Sequence, residues 1–166
     1  TAGLPVSKTV VMWWRQERPE QLEKALSKGY EIVLCPRLPL YLDFVQHPSH
    51  EYGRKWSKGE HAPMEKVYHF PGTSYTSGIS IATPLIKGIQ GNAWTEVIHS
   101  PERLQFMVYP RLSALAEAAW TQDRSKNYEN FNLRMEKMME FYKKSGIVFF
   151  DYKNPDLSPE VAGPKK

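Results

Sequence analysis

Cysteine and long apolar runs are what this sequence has least of. A single cysteine, Cys35, stands among 166 residues, which excludes an intrachain disulfide framework and a cysteine-based zinc site. No apolar stretch approaches the roughly 20 residues that a helix needs to cross a bilayer, so no membrane span is expected. There is no internal repeat and no low-complexity segment. Neither sign of charge dominates, with 22 basic residues against 18 acidic ones and a formal net charge of +4. The isoelectric point of 9.1 is the sole pointer to a nucleic-acid-binding domain. The basic residues are dispersed except at Lys143-Lys144 and Lys165-Lys166, so no nucleic-acid partner is expected.

What the sequence does have is an ordinary share of apolar (41%) and charged (24%) residues, as in a folded domain rather than a disordered chain. A chain of this size buries roughly 70% of its unfolded surface, enough for one core without staples. Proline (13 residues), aromatics (13% of the chain) and five tryptophans are the conspicuous excesses. The chain begins with Thr1, and a processed protein or a piece of a longer one is expected.

Thr9 to Trp14 is a short β-branched and apolar run that predicts a strand buried on both faces. Pro19 opens a helical pattern with Leu22, Ala25 and Leu26 at helical spacing and Gly29 as its left-handed cap. Glu31 to Cys35 predicts a second strand, stopped by Pro36. Strand, helix, strand with short links is the βαβ pattern of parallel strands. The long segment from Pro36 to Lys87 is rich in Pro, Gly, His, Ser and Tyr, with one turn of helix expected over Pro63 to Val67. A third strand is expected over Gly88 to Trp94. Ser100 and Pro101 then start an apolar helix to about Trp120, which Pro110 should kink or break. A last helix, about Tyr128 to Lys144, places Phe131, Met135, Met138 and Tyr142 on one stripe and stops at Gly146. Residues 1–150 are expected as the folded unit and 151–166 as a flexible tail.

Three parallel strands alone leave two long edges open, which native sheets avoid. The α/β pattern therefore reads as about three βα units from the C-terminal portion of a (β/α)8 barrel, a fold of about 250 residues. A small open three-layer α/β fold is the alternative.

In parallel β/α folds reactive groups lie at the C-terminal strand ends. The first strand delivers Trp13, Trp14, Arg15 and Glu17, the second Tyr41 and Asp43, and the third Asn92, Trp94 and Glu96. Each end thus pairs an aromatic ring with a carboxylate. A sugar site needs both, rings to stack on pyranose C–H faces and carboxylates to accept from hydroxyls. Trp13 and Trp14 are neighbours on a strand and point to opposite sides. Tyr41 and Asp43, two apart in an extended run, can share a face, as can Trp94 and Glu96. Trp120 reads as core, and Trp56 is undecided. His47 and His50, with Pro48 between them, read as surface loop histidines rather than metal ligands. Cys35 reads as a small core residue. No metal and no cofactor is expected.

The run Gly88-Ile-Gln-Gly-Asn-Ala-Trp-Thr-Glu96, followed by Tyr109-Pro-Arg-Leu112 and Ala114-Leu-Ala-Glu-Ala-Ala-Trp120, resembles the last barrel strand and following helix of the β-N-acetylhexosaminidases of glycoside hydrolase family 20. Val11-Met-Trp-Trp-Arg15 is similar to their sixth strand, and Cys35-Pro with Tyr41-Leu-Asp43 to their seventh strand and its loop. The resemblance implies that Trp14 packs against the acetamido group, with Trp13 as the fallback, and that Trp94 lines the sugar pocket. It implies that Tyr41 orients the acetamido carbonyl as a catalytic group, that Asp43 lies beside it, and that Glu96 binds hydroxyls far from the scissile bond. It also implies substrate-assisted retention, an exception to the two-carboxylate scheme, with an Asp-Glu pair supplying the acid. No Asp is followed by Glu anywhere in this sequence. The expectation is therefore a fragment of such an enzyme, acting on N-acetylhexosamine-containing glycans but inactive alone, with its edges covered by self-association or by the N-terminal part of its parent. The resemblance favours an exported protein (periplasmic, cell-surface or lysosomal). A non-catalytic carbohydrate-binding module is the alternative.

Overall fold

Three short strands run parallel in the order β1 (Val10–Trp13), β2 (Glu31–Leu34) and β3 (Ile86–Ile89). This computed structural model describes residues 3–55, 61–72 and 75–163; Trp56 and Lys165-Lys166 lie outside the described residues. The register pairs Val10 with Glu31 and Trp13 with Leu34, then Ile32 with Ile86 and Leu34 with Ile89. β1 and β2 fall within the expected runs, each one or two residues shorter. β3 corrects an expectation: it occupies Ile86–Ile89 rather than Gly88 to Trp94, and residues 90–94 already belong to the loop that borders the cavity described below.

Helix α1 (Pro19–Ser27) connects β1 to β2, with Pro19 in its first turn and Leu22 and Ala25 buried. Gly29, at φ +77°, ends it in a left-handed conformation that suits glycine. Leu22 has no exposed surface, so truncating it to alanine would cost about 2–5 kcal/mol. A short turn, α2 (Arg37–Leu40), follows β2, with Leu38 extended within it. Helix α3 (Met64–Tyr68) fills the expected place in the long middle segment.

The long apolar helix breaks at Pro110 into α4 (Pro101–Val108) and α5 (Arg111–Trp120). Ser100 caps α4 by accepting from the Arg103 N–H at 3.1 Å. At the break, the Phe106 carbonyl faces a proline where a helix would offer an N–H. The Gln46 side-chain amide takes its place, donating to Phe106 at 2.6 Å and to the Tyr109 carbonyl at 3.2 Å. The Phe150 N–H also donates to Tyr109, at 3.2 Å.

Helix α6 (Tyr128–Lys144) is capped by Asn127, which accepts from the Asn130 N–H at 2.8 Å. Its inward stripe is Phe131, Met135, Met139 and Tyr142. Met139 is 7% exposed and Met138 40%, a correction of one residue to the expected stripe, since the helix turns its seam between them. Trp120 corrects another expectation: it is 89% exposed. The buried stripe of α5 is Arg111, Ala114, Leu115 and Ala118, and Trp120 falls off that 3.6-residue periodicity.

The main core lies between the sheet and the helices, joining Trp13, Ile32 and Leu34 to Leu22, Val67, Tyr68, Leu115, Phe131 and Met135. Only this face of β1 is covered among the described residues; Val10, Met12 and Trp14 are exposed on the other. The expected burial on both faces therefore does not hold for β1. A second cluster gathers Val97, Ile98, Phe106, Met107 and Phe150. His50, expected at the surface, is buried against it, its ring 4.6 Å from Phe150 and 5.3 Å from Phe106 between centroids.

Residues 151–163 carry a short 3-10 turn (Pro155–Leu157) and lie along this cluster. Glu160 accepts from the N–H groups of Glu51 (2.5 Å) and Tyr52 (3.1 Å) and from Arg103 Nη1 (3.0 Å). Arg103 Nη1 also donates to the Val161 carbonyl at 2.6 Å.

Candidate functional site

The strand ladders continue past the strand ends and so fix the loops that follow them. The Cys35 N–H donates to the Trp13 carbonyl and the Arg37 N–H to the Trp14 carbonyl. The Leu42 N–H donates to the Asn92 carbonyl (2.6 Å) and the Asn92 N–H to that of Leu40 (2.8 Å). Tyr41 and Asn92 thereby sit side by side as an isolated bridge. At this end of the sheet lies a cavity of ≈680 Å³.

Four aromatic side chains line it: Trp14 from the end of β1, Tyr41 and the buried Phe44 from the turn after β2, and Trp94 from the segment after β3. Alternation along β1 decides between the two neighbouring tryptophans. Trp13 is 3% exposed in the helix-side core and Trp14 37% exposed on the cavity. The Tyr41 and Trp94 rings meet at 6.0 Å with a 46° tilt. The guanidinium groups of Arg15 and Arg37 lie 4.5 and 5.5 Å from the Trp14 ring centre, cation–π contacts that hold the indole at the rim.

The polar lining comes from Gln90, Asn92, Glu96, Arg37 and Arg54. Gln90 Nε2 donates to Asn92 Oδ1 at 2.7 Å. Glu96 sits in a 3-10 turn (Thr95–Val97) directly after Trp94 and is half exposed. Burial pushes the Tyr41 hydroxyl above its usual pKa, reinforced by Cys35 and opposed by Trp94 and Arg37. Tyr41 thus stays a protonated donor at neutral pH.

Asp43 takes a different place from the one its spacing suggests. Residues 41–44 form a turn rather than an extended run, so Tyr41 and Asp43 do not share a face. Asp43 is 0% exposed and lies in the layer behind the cavity wall, its Oδ2 2.9 Å from Arg54 Nε. Burial raises its carboxyl pKa, against the lowering effect of the backbone N–H groups of Asp43 and Trp94 and of Arg54. Cys35 is buried at the cavity floor.

The structure thus gathers Trp14, Tyr41, Trp94 and Glu96 on one cavity and sets Asp43 behind it. Sequence reasoning missed Arg37, Arg54 and Gln90. Gln90 stands in the strand motif and could have been found by its position; Arg54 carries no local signal. Rings facing a slot with amide, carboxylate and guanidinium groups suit a pyranose, apolar on its faces and polar at its edge. Glu96 is the one carboxylate on the cavity lining among the described residues. Among those residues no group of three or more His, Cys, Asp or Glu side chains gathers to hold a metal ion.

The catalytic-domain profile of glycosyl hydrolase family 20 matches residues 2–123. A β-N-acetylhexosaminidase of Cellulomonas fimi is 26% identical over 94% of this chain and 30% of its own length. A β-hexosaminidase of Porphyromonas gingivalis is 30% identical over 89% of this chain and 18% of its own length. Among solved structures, the exo-β-N-acetylglucosaminidase of Vibrio harveyi in complex with N-acetylglucosamine superposes with a TM-score of 0.74 at 27% identity, over 90% of this chain and 23% of that one. The β-N-acetylhexosaminidase of Streptomyces coelicolor A3(2), at 22% identity, shares the fold with a TM-score of 0.78, over 89% of this chain and 30% of that one. The chain spans less than a third of the length of these relatives. With its ladder-fixed cavity and the profile match over most of its length, this chain belongs to the catalytic domain of glycosyl hydrolase family 20.

Proposed function

We propose that this chain is the C-terminal portion of a (β/α)8 barrel and forms about half of the sugar pocket of a β-N-acetylhexosaminidase that removes terminal β-linked N-acetylglucosamine or N-acetylgalactosamine. The observation that carries the reading is the aromatic wall of Trp14, Tyr41 and Trp94 around one cavity, with Glu96 at its edge. The open face of β1 supports the barrel part of the proposal. Val10, Met12 and Trp14 point away from the helices, where a closed barrel would place further strands and their side chains.

In this reading the substrate's own acetamido oxygen attacks the anomeric carbon and the glycosidic bond breaks. An oxazolinium intermediate forms, and water then opens it with net retention. The Tyr41 hydroxyl donates to the acetamido carbonyl and, with Trp14 and Trp94, holds it in line, a contribution of proximity and orientation. Glu96 accepts from hydroxyls remote from the scissile bond. The general acid and the carboxylate that steadies the acetamido nitrogen come from an Asp-Glu pair elsewhere in the parent, since this sequence contains none.

The test is hydrolysis of a chromogenic N-acetyl-β-glucosaminide by this chain alone and mixed with the separately produced N-terminal remainder of its parent. Turnover is expected in the mixture only. Turnover by the chain alone would overturn the division of labour and make Asp43 and Glu96 the first suspects for the catalytic pair. Binding of N-acetylglucosamine without turnover in either arm would leave a sugar-binding module.

A further inference from the structure

Arg54 stands where the loop after β2 returns to the cavity, and its backbone is drawn in first. Its N–H donates to the Asp43 carbonyl and its carbonyl accepts from the Val45 N–H, both at 3.0 Å. The turn that delivers it needs glycine: Gly53 has φ +141°, and a Cβ there would stand 2.9 Å from Val45 Cγ1. From behind, Glu160 grips the Glu51 and Tyr52 N–H groups just before that turn.

The side chain then reaches two carboxylates at once. Arg54 Nε lies 2.9 Å from Oδ2 of the buried Asp43, and Nη2 donates to Glu96 Oε1 at 2.8 Å. An exposed pair between Arg54 and Glu96 alone would be weak and mobile. The buried end changes this, because releasing Arg54 would strand the Asp43 charge away from water. The contact to Asp43 is an ion pair and that to Glu96 a hydrogen bond; a guanidinium makes both from one rigid plane, which the single ammonium of a lysine cannot.

We infer that Arg54 is a positioning residue for sugar recognition. Anchored on Asp43, it holds Glu96 Oε1 and so fixes the rotamer that turns Oε2 toward the hydroxyls of the bound sugar. The inference rests on the sugar-pocket reading above and deepens it.

The test uses the full-length parent enzyme with 4-nitrophenyl N-acetyl-β-glucosaminide and its analogues lacking the 4- or the 6-hydroxyl. In the wild type, removing the hydroxyl that Glu96 receives raises KM. Arg54→Met should raise KM for the intact substrate about tenfold while kcat changes less than about twofold, because Arg54 touches no reacting atom. In that variant the deoxy penalty should fall to nearly nothing, which a merely structural lesion would not bring about. Arg54→Lys keeps a cation beside Asp43 and so preserves the fold, as its melting temperature will report; it should show the same KM rise and the same lost penalty. An unchanged KM in Arg54→Lys, or an undiminished deoxy penalty in either folded variant, would overturn the inference while leaving the pocket reading intact. A wild-type parent that neither hydrolyses nor binds the glucosaminide would take down both together.

Discussion

Arg111 donates to the Leu42 carbonyl at 2.6 Å from a side chain with no exposed surface. The same guanidinium donates to the carbonyls of Phe44 (2.9 Å), Ala62 (3.1 Å) and Met107. It therefore clamps both flanks of Asp43 and Ala62, two residues before α3, onto the start of α5. Burial pulls its pKa down to about 9, which still leaves it charged at neutral pH.

Replacing Arg111 by methionine would fill much of the volume but orphan these carbonyls. A loss of about 3–5 kcal/mol is expected, the range for one partner removed from a buried charged network. Urea denaturation of the chain measures it. A loss below about 1 kcal/mol would mean that water reaches these carbonyls.

His50 gives the fold a pH dependence of definite sign. Burial against Phe106 and Phe150, with His47 and the arginines Arg103 and Arg111 nearby, lowers its pKa from 6.5 to about 4. The unfolded chain therefore binds more protons than the folded one between those values. Stability rises with pH through that window and is lost as the pH falls from about 6.5 toward 4, by about 3 kcal/mol in total. The raised carboxyl of Asp43 works in the opposite direction, so the contrast with a variant isolates His50. The difference in unfolding free energy between wild type and His50→Phe should change with pH only within this window; a constant difference would refute the assignment.

Trp94 tests the pocket itself. In the parent enzyme Trp94→Ala should reduce kcat/KM by roughly 10²-fold, as oriented binding of the reacting sugar is lost. Trp120→Ala makes the matched control, since that indole is exposed and not part of the cavity lining. Equal losses in both variants would remove Trp94 from the site.

The parallel strands and the break at Pro110 were legible because each depends on local chemistry. The motif around Trp94 supplied the family for the same reason, being contiguous. Strand alternation showed only that Trp13 and Trp14 point to opposite sides, and the family resemblance, not the pattern, favoured Trp14. Arg54 was not legible: its meaning depends on Asp43 and Glu96 meeting it in space, and no spacing encodes that. Asp43 misled because a turn replaces the extended run, so alternation no longer applies. His50 and Trp120 were misplaced by composition alone. A histidine among loop residues turned out to be covered by Phe150 from far along the chain, and a tryptophan among alanines lies on the outer side of its helix.

The interruption at Pro110 does more than shorten a rod. A continuous helix would satisfy its own carbonyls and offer nothing sideways. Broken there, it becomes a socket: Gln46, Arg111 and Phe150 each plug into a carbonyl left open at the joint. The loop bearing Tyr41 and the C-terminal strap are thereby keyed to the same seam. A chain in which the helix ran straight through would lose the seat for both, and with it the means of holding one wall of the cavity at a fixed distance from the other.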